Sequence, residues 1–137
     1  MILVDTNVLV AAARTADTNH VAAARLLREL DDRMLLSPLV VAETCYLPHE
    51  LGGPTPEVRF LRSIAAGDFA LGMLGPVDAG RMADLAERYA DLGLGGTDAS
   101  VVALAERLGI TSIATFDRRH FTVVRPAHVE AFDLLAV

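Results

Sequence analysis

The sequence contains no lysine: all 12 of its basic residues are arginine. Chemistry that depends on a lysine is therefore closed to it, including the phosphate-binding loop G-x-x-x-x-G-K. It has one cysteine, Cys45, which can form no internal disulfide, so a reducing cytoplasm is the expected setting. It has no apolar run approaching the roughly 20 residues that cross a bilayer. The two runs near the N-terminus, Met1 to Val4 and Val8 to Ala13, are split by Asp5, Thr6 and Asn7. No positive charge precedes them and an acid interrupts them, so neither a signal peptide nor a membrane partner is expected. G-x-S-x-G is absent, which argues against a serine hydrolase. Positive charge is also short. The net charge of −6 argues against coating nucleic acid through bulk charge. It leaves room for a protein that gathers acids in one pocket and sets arginines around it.

What is present fits one globular domain spanning 1–137. The apolar fraction is 53% and the charged fraction 22%, and a chain of this length buries a core without staples. Met1 to Val4 reads as a buried strand. Thr6 to Ala13 reads as a helix, and Asn19 to Asp31 as a second one with Val21, Leu26, Leu27 and Leu30 on its apolar stripe. Met34 to Leu36 is a short strand. Ser37-Pro38 starts a helix with a serine cap and a proline at its first position, running to about Leu47. Gly52-Gly53-Pro54 is a loop, Glu57 to Ala66 a helix ended by Gly67, and Phe69 to Leu71 a strand. Asp78 to Tyr89 is helical, with Met82, Leu85 and Tyr89 in register. Thr97 is expected to cap a helix from Asp98 to Leu108, which Gly109 terminates. Ser112 to Thr115 is a strand, Asp117 to His120 a turn, and Phe121 to Val124 a last short strand. The segment from His128 onwards fits no single element. Strands alternating with helices imply an α/β domain with a mainly parallel sheet of four to five short strands.

Four acids stand out in this framework. Ligands of open α/β sheets bind at the carboxyl ends of the strands. Asp5 directly follows the first strand, and Asp117 follows Ser112 to Thr115 by two residues. Glu43 has Leu39 and Leu47 at i−4 and i+4, which places it on an apolar stripe, where a lone charge is costly. Asp98 has Val102 and Ala105 at i+4 and i+7 and sits at the positive end of its helix dipole. Each position alone has an ordinary explanation as a cap, a salt bridge or a strand exit. Carboxylates gathered together repel and raise one another's pKa, and a divalent cation relieves that repulsion. Oxygen ligands alone favour Mg2+ or Mn2+ over zinc. His20, His49, His120 and His128 show no metal-ligand spacing and read as ordinary histidines.

The motifs carrying these acids resemble those of PIN-domain nucleases. MILVDTNVLV at 1–10 is similar to the family's first motif, SPLVVAETCY at 37–46 to its second, GTDASVVALAERLG at 96–109 to its third and SIATFDRRHF at 112–121 to its fourth. Order and spacing match over essentially the whole chain. The compact size resembles VapC-type toxins of bacterial toxin–antitoxin pairs. That resemblance implies a three-layer α/β/α sandwich, a homodimer, a cognate antitoxin, and metal-dependent cleavage of structured RNA of the tRNA or rRNA class. It implies one or two Mg2+ or Mn2+ ions held by Asp5, Glu43, Asp98 and Asp117, and products with a 5′-phosphate and a 3′-hydroxyl. Thr6, Asn7, Thr97 and Thr115 stand where the family often has small polar residues that position the acids. Asp91 matches an acid often seen before the third motif, although a solvated loop acid explains it as well.

Arg118 and Arg119 follow Asp117 directly and Arg14 ends the first helix, so these three are candidates for phosphate contact. Haloacid-dehalogenase-type phosphatases and receiver domains also place an aspartate after a strand. The first needs a second aspartate where this chain has Asn7, and both use a lysine. The remaining alternative is a PIN-like module that binds a protein or RNA partner with little catalysis.

Overall fold

The computed structural model describes the backbone of residues 1–49 and 55–136, and their side chains except at 32 and 47–49. The expected loop at 52–54 and the side chains of Leu47 and His49 lie outside the described residues.

The chain begins with β1 (Ile2–Val4), α1 (Thr6–Ala13) and α2 (His20–Leu30), then a short 3₁₀ turn at Asp31–Arg33 leads into β2 (Met34–Leu36). It continues through α3 (Pro38–His49), α4 (Thr55–Ala65), β3 (Ala70–Leu71) and α5 (Pro76–Arg88). A second 3₁₀ turn at Ala90–Leu92 precedes α6 (Gly96–Leu108), β4 (Ser112–Ala114), α7 (Arg118–Val123) and β5 (Asp133–Leu135). The sheet has the order β3-β2-β1-β4-β5 and every pair is parallel. Starting from β1, the chain first moves outward through β2 and β3, then returns to the other side of β1 for β4 and β5. Right-handed crossovers put the connections of these two halves on opposite faces of the sheet. α1 packs on α2 and α3, α3 on α4, and α5 on α6, while α3 also meets α6. No helix of the described residues is long and apolar enough to cross a membrane.

A parallel sheet covered on both faces needs strands that are apolar on both faces. Leu3, Val4, Leu36, Ile113 and Ala114 are accordingly fully buried. α6 is apolar nearly all round, and every residue from Ala99 to Ala105 is buried, as suits a helix enclosed by a sheet and other helices. Gly109 ends it in the left-handed conformation, φ 70°, which favours glycine. Gly72, leaving β3, is fixed by space instead. A Cβ there would stand 2.9 Å from Leu104 Cδ1 and 3.3 Å from the Leu36 carbonyl oxygen.

Several expected elements shift. The turn and strand read at 117–124 are one helix, α7. Phe121 and Val124 are three apart and both buried, while Thr122 and Val123 are exposed, which is a helical face and not strand alternation. The unassigned C-terminal segment supplies β5, paired with β4 through Ser112–Asp133, Ile113–Leu134 and Ala114–Leu135. Thr97 does not cap α6: Gly95 occupies the cap position with no side-chain bond, and Thr97 lies inside the first turn. Val21 is 66% exposed, so α2 faces the core through Ala23 and Leu30.

Candidate active site

The strand order reverses at β1, and this opens a crevice at the carboxyl ends of β1 and β4, where open α/β sheets bind ligands. Asp5 leaves β1 at this point. Its backbone N–H donates to the Ala114 carbonyl (2.9 Å), which seats it beside β4. Its Oδ1 accepts from the Thr6 N–H (2.8 Å) and caps α1. Its Oδ2 accepts from the Thr115 hydroxyl (2.8 Å) and from Asn7 Nδ2 (3.2 Å).

Thr115 is the junction between the two strand ends. Its Oγ donates to Asp5 and accepts from Asn7 Nδ2 (3.2 Å) and from the Asp117 N–H (2.9 Å). Asn7 closes the loop by accepting from the Phe116 N–H (3.1 Å). Asp117 Oδ1 accepts from the His120 N–H (3.1 Å) and caps α7. Its Oδ2 is left for the crevice, 3.0 Å from His120 Nδ1. Asp98, in the first turn of α6, places its own Oδ2 2.8 Å from that same nitrogen. The ligand atoms of Asp98, Asp117 and His120 all lie within 4.8 Å of one another.

Burial and crowding set the charge state. The carboxyl of Asp5 is pushed up to about 6, first by burial and then by the charge of Asp98, with a smaller push from Glu43. Bonds from Thr115 and Thr6 work in the opposite sense. Asp98 is also raised by burial, with His120 lowering it and Asp117 and Glu43 raising it. The pocket is therefore short of positive charge.

A divalent cation fits this donor set. Oxygens on opposite sides of one Mg2+ lie about 4.2 Å apart, so a group held within 4.8 Å closes on an ion with small movements. Asp98, Asp117 and His120 could hold it directly, with Asp5 beside them.

The other expected residues are placed as follows. Glu43 is exposed, and its charge still reaches Asp5 and Asp98. The expected stripe through Leu39 and Glu43 is one position out of phase: Ser37, Val40 and Thr44 are the buried series on α3. Thr6 is buried beside Asp5. Thr97 touches the site only through its carbonyl, which accepts from Ser100 Oγ (2.6 Å). Arg118 and Arg119 are exposed on the first turn of α7. Arg14 is not brought to the cluster, because α1 separates it from Asp5 by about 12 Å of helix rise. Asp91 is exposed in its 3₁₀ turn.

Sequence reasoning missed three residues. His120 has its partners 22 and 3 residues away, outside any histidine spacing rule. Ser37 and Ser100, both fully buried, lie 2.6 Å apart. Ser100 spends its proton on the Thr97 carbonyl, so Ser37 donates to Ser100 while accepting from the Leu39 N–H (3.1 Å). This chain ties the start of α3 to the start of α6 and so fixes Glu43 relative to Asp98. A serine before proline signals a cap in sequence, but nothing local signals the second serine. Cys45 is half-buried, with its thiol pKa raised by burial. A cavity of about 730 Å³ lies elsewhere, between Leu27, Asp31, Met34 and Phe69. It sits at the amino ends of β2 and β3, away from the acids.

Residues 2–125 match the family model described as PIN domain. The chain is also 35% identical over 124 residues to Ribonuclease VapC26 of Mycobacterium tuberculosis, covering 90% of this chain and 92% of the relative. The chain belongs to the PIN-domain family, in its VapC branch. This PIN domain shares its fold with the crystal structure of VapC20 from Mycobacterium tuberculosis, a toxin that cleaves the sarcin–ricin loop. That match has a TM-score of 0.84 and 21% identity over 95% of this chain and 99% of the other. It also matches FitAcB from Neisseria gonorrhoeae, with a TM-score of 0.65 and 22% identity over 97% of each chain. The four motifs read from sequence thus lie in a true PIN domain, on a five-stranded parallel α/β sheet.

Proposed function

We propose that this PIN domain is a metal-dependent endoribonuclease that serves as the toxin of a toxin–antitoxin pair. One observation carries the reading: Asp98 and Asp117 converge beside Asp5 at the switch point of the sheet, where burial and mutual charge raise Asp5 to about 6. A carboxyl cluster that penalises its own ionisation is poorly suited to structural work and well suited to a cation. VapC26 is named a ribonuclease and VapC20 a sarcin–ricin loop cleaving toxin, which supports structured RNA as the substrate class.

Asp98 and Asp117 would hold the cation, with Asp5 beside them and Glu43 adding its charge from α3. A bound Mg2+ or Mn2+ supplies charge neutralisation for a scissile phosphate and lowers the pKa of water to near neutrality. The protein's part is positional. Thr115, Asn7 and Thr6 fix the Asp5 oxygens, and α7 fixes Asp117. The expected products carry a 5′-phosphate and a 3′-hydroxyl. The test is cleavage of total cellular RNA by purified protein with Mg2+ or Mn2+. Discrete fragments that disappear with EDTA and in Asp98→Asn support the reading. A folded, antitoxin-free protein that leaves rRNA and tRNA intact with either metal favours a binding module.

Arg118 and Arg119 would contact the RNA backbone. Both stand in the first turn of α7, where a cation opposes the helix dipole, so helix stability does not account for them. Arg118 also shares a cleft of about 400 Å³ with Arg125. Each phosphate contact contributes about 0.7 to 0.9 to the slope of log K against log salt. Arg118→Ala combined with Arg119→Ala should flatten that slope by about 1 to 2, measured by filter binding of RNA to the Asp98→Asn background. An unchanged slope rules these residues out as phosphate contacts.

For the antitoxin and a second copy of the chain, α4 is a natural surface. It has no fully buried residue, and Val58 and Leu61 are 44% and 45% exposed.

A further inference from the structure

We infer that His120 is itself a metal ligand, so that the site is a mixed nitrogen–oxygen set of Asp98, Asp117 and His120 and not an all-carboxylate one. The inference rests on the metal-dependent reading above and adds to it a residue that the four-acid pattern does not contain.

Three donor atoms, one each from Asp98, Asp117 and His120, converge within 4.8 Å of one another. Neighbouring ligands on an octahedral ion with bonds of about 2.1 Å lie about 3.0 Å apart. His120 Nδ1 is 2.8 Å from Asp98 Oδ2 and 3.0 Å from Asp117 Oδ2. The nitrogen is thus already spaced as a neighbouring ligand to each carboxylate oxygen, all three atoms lie within 4.8 Å of one another, and an ion there would take the place of any proton on Nδ1. The ring then carries its proton on Nε2 and offers the Nδ1 lone pair, as a neutral imidazole ligand does. The side chains of His120 and Asp98 are each 19% exposed and that of Asp117 28%, so an ion reaches them from solvent.

The backbone holds this arrangement. Asp117 Oδ1 is committed to the His120 N–H, which turns Oδ2 toward the crevice. The i, i+3 spacing across the first turn of α7 brings the imidazole over the same carboxylate. His20 and His128 behave differently: each sets a ring nitrogen against a backbone carbonyl, of Ala11 at 2.9 Å and of Ile110 at 2.7 Å. Among the described residues, both partners of His120 Nδ1 are carboxylates.

An imidazole donor shifts preference along the divalent series. Mn2+ accepts nitrogen more readily than Mg2+ does, so the site should favour Mn2+ by more than an oxygen-only site would. His120→Gln should weaken Mn2+ binding by about tenfold or more, the scale seen when groups at a metal site are lost, and Mg2+ binding by less.

The experiment uses the purified full chain loaded with Mn2+. Binding is read from the free Mn2+ signal by electron paramagnetic resonance. Coordination is read by electron spin-echo modulation on protein carrying ring-15N histidine. Direct histidine nitrogen coupling that is lost in His120→Gln, with the variant still folded in EDTA by circular dichroism, is the expected result. Mn2+ bound at unchanged affinity in His120→Gln, or bound without histidine coupling in the wild type, overturns the ligand role while leaving a carboxylate metal site standing. Failure to bind Mn2+ at all overturns both readings. His120→Ala separates ligation from hydrogen bonding: if Gln behaves as wild type and Ala does not, the ring only positions the two carboxylates.

Discussion

Asp5→Asn should abolish RNA cleavage and, in EDTA near pH 7.5, make the protein more stable than the wild type. The first effect follows from losing one charge of the cluster. Lewis-acid stabilisation at such sites is worth several kcal/mol, and about 4 kcal/mol corresponds to a thousandfold loss of rate. The second effect follows from the cost of keeping a buried carboxylate ionised without a cation. The Asp5 carboxyl has an ordinary value of 3.8 and stands at about 6 in the folded protein. At about 1.4 kcal/mol per pH unit, that gap is roughly 3 kcal/mol against the folded state once both forms are ionised.

The direction with pH follows from proton counts. Between pH 3.8 and 6 the folded chain holds the Asp5 proton more tightly than the unfolded chain. The favourable contribution is therefore complete below the ordinary value and is lost as pH rises through about 6. Asparagine has no such dependence. It does return part of the gain, since its amide NH2 meets the Asn7 amide and the Thr115 hydroxyl, both of which donate to Asp5 in the wild type. A net advantage of about 1 to 2 kcal/mol remains. Urea unfolding of both proteins in EDTA from pH 4 to 8 measures it. The stability difference should grow through pH 4 to 6 in favour of Asn and then level off. Mn2+ should reverse the order by stabilising only the wild type. A difference independent of pH would mean that Asp5 is not the group under strain.

The acids on strand ends were legible because β1 and β4 are short and apolar, with a capping aspartate directly after β1 and another within three residues of the end of β4. α3 was harder. Its residues are apolar on several sides, so a stripe through Leu39 and Glu43 looked as good as the buried one through Ser37, Val40 and Thr44. The two differ by one residue, or 100° of rotation, and only packing against the rest of the fold chooses between them. α7 has six residues, under two turns, and it carries Phe121 and Val123 with Val124 directly after it. Local composition therefore favoured a strand over a helix whose cap is itself a candidate site residue. β5 is an edge strand of three residues that forms on β4, about 20 positions away, and its own sequence has too little alternation to announce it. His120 was hidden for a related reason. Its neighbours are carboxylates on α6 and at the α7 cap, and the spacing of histidines among themselves carries no trace of that.

Thr115→Val should be among the most damaging single changes at the site, although it removes no charge and keeps the side chain's shape. The Thr115 hydroxyl is fully buried and uses its entire capacity: one proton to Asp5 Oδ2, and two lone pairs for Asn7 Nδ2 and the Asp117 N–H. Valine fills the same volume and satisfies none of the three. A hydrogen bond to a charged group contributes about 1.5 to 3 kcal/mol, and a stranded donor costs about 1 to 3 kcal/mol. Asn7 Nδ2 keeps its second acceptor, Asp5 Oδ2, so the expected loss is about 2 to 4 kcal/mol in urea unfolding. Activity should fall as well, with a recognisable pH signature. The Thr115 bond is the largest influence lowering the Asp5 carboxyl; without it that carboxyl rises further, and the acid side of the cleavage profile moves to higher pH. Thr115→Ser separates the hydroxyl from the methyl group. It keeps all three bonds and should cost about 1 kcal/mol for the lost methyl, with the wild-type pH profile retained. Equal losses for Val and Ser would show that Thr115 acts through packing, and that Asp5 and Asp117 are aligned by the strands alone.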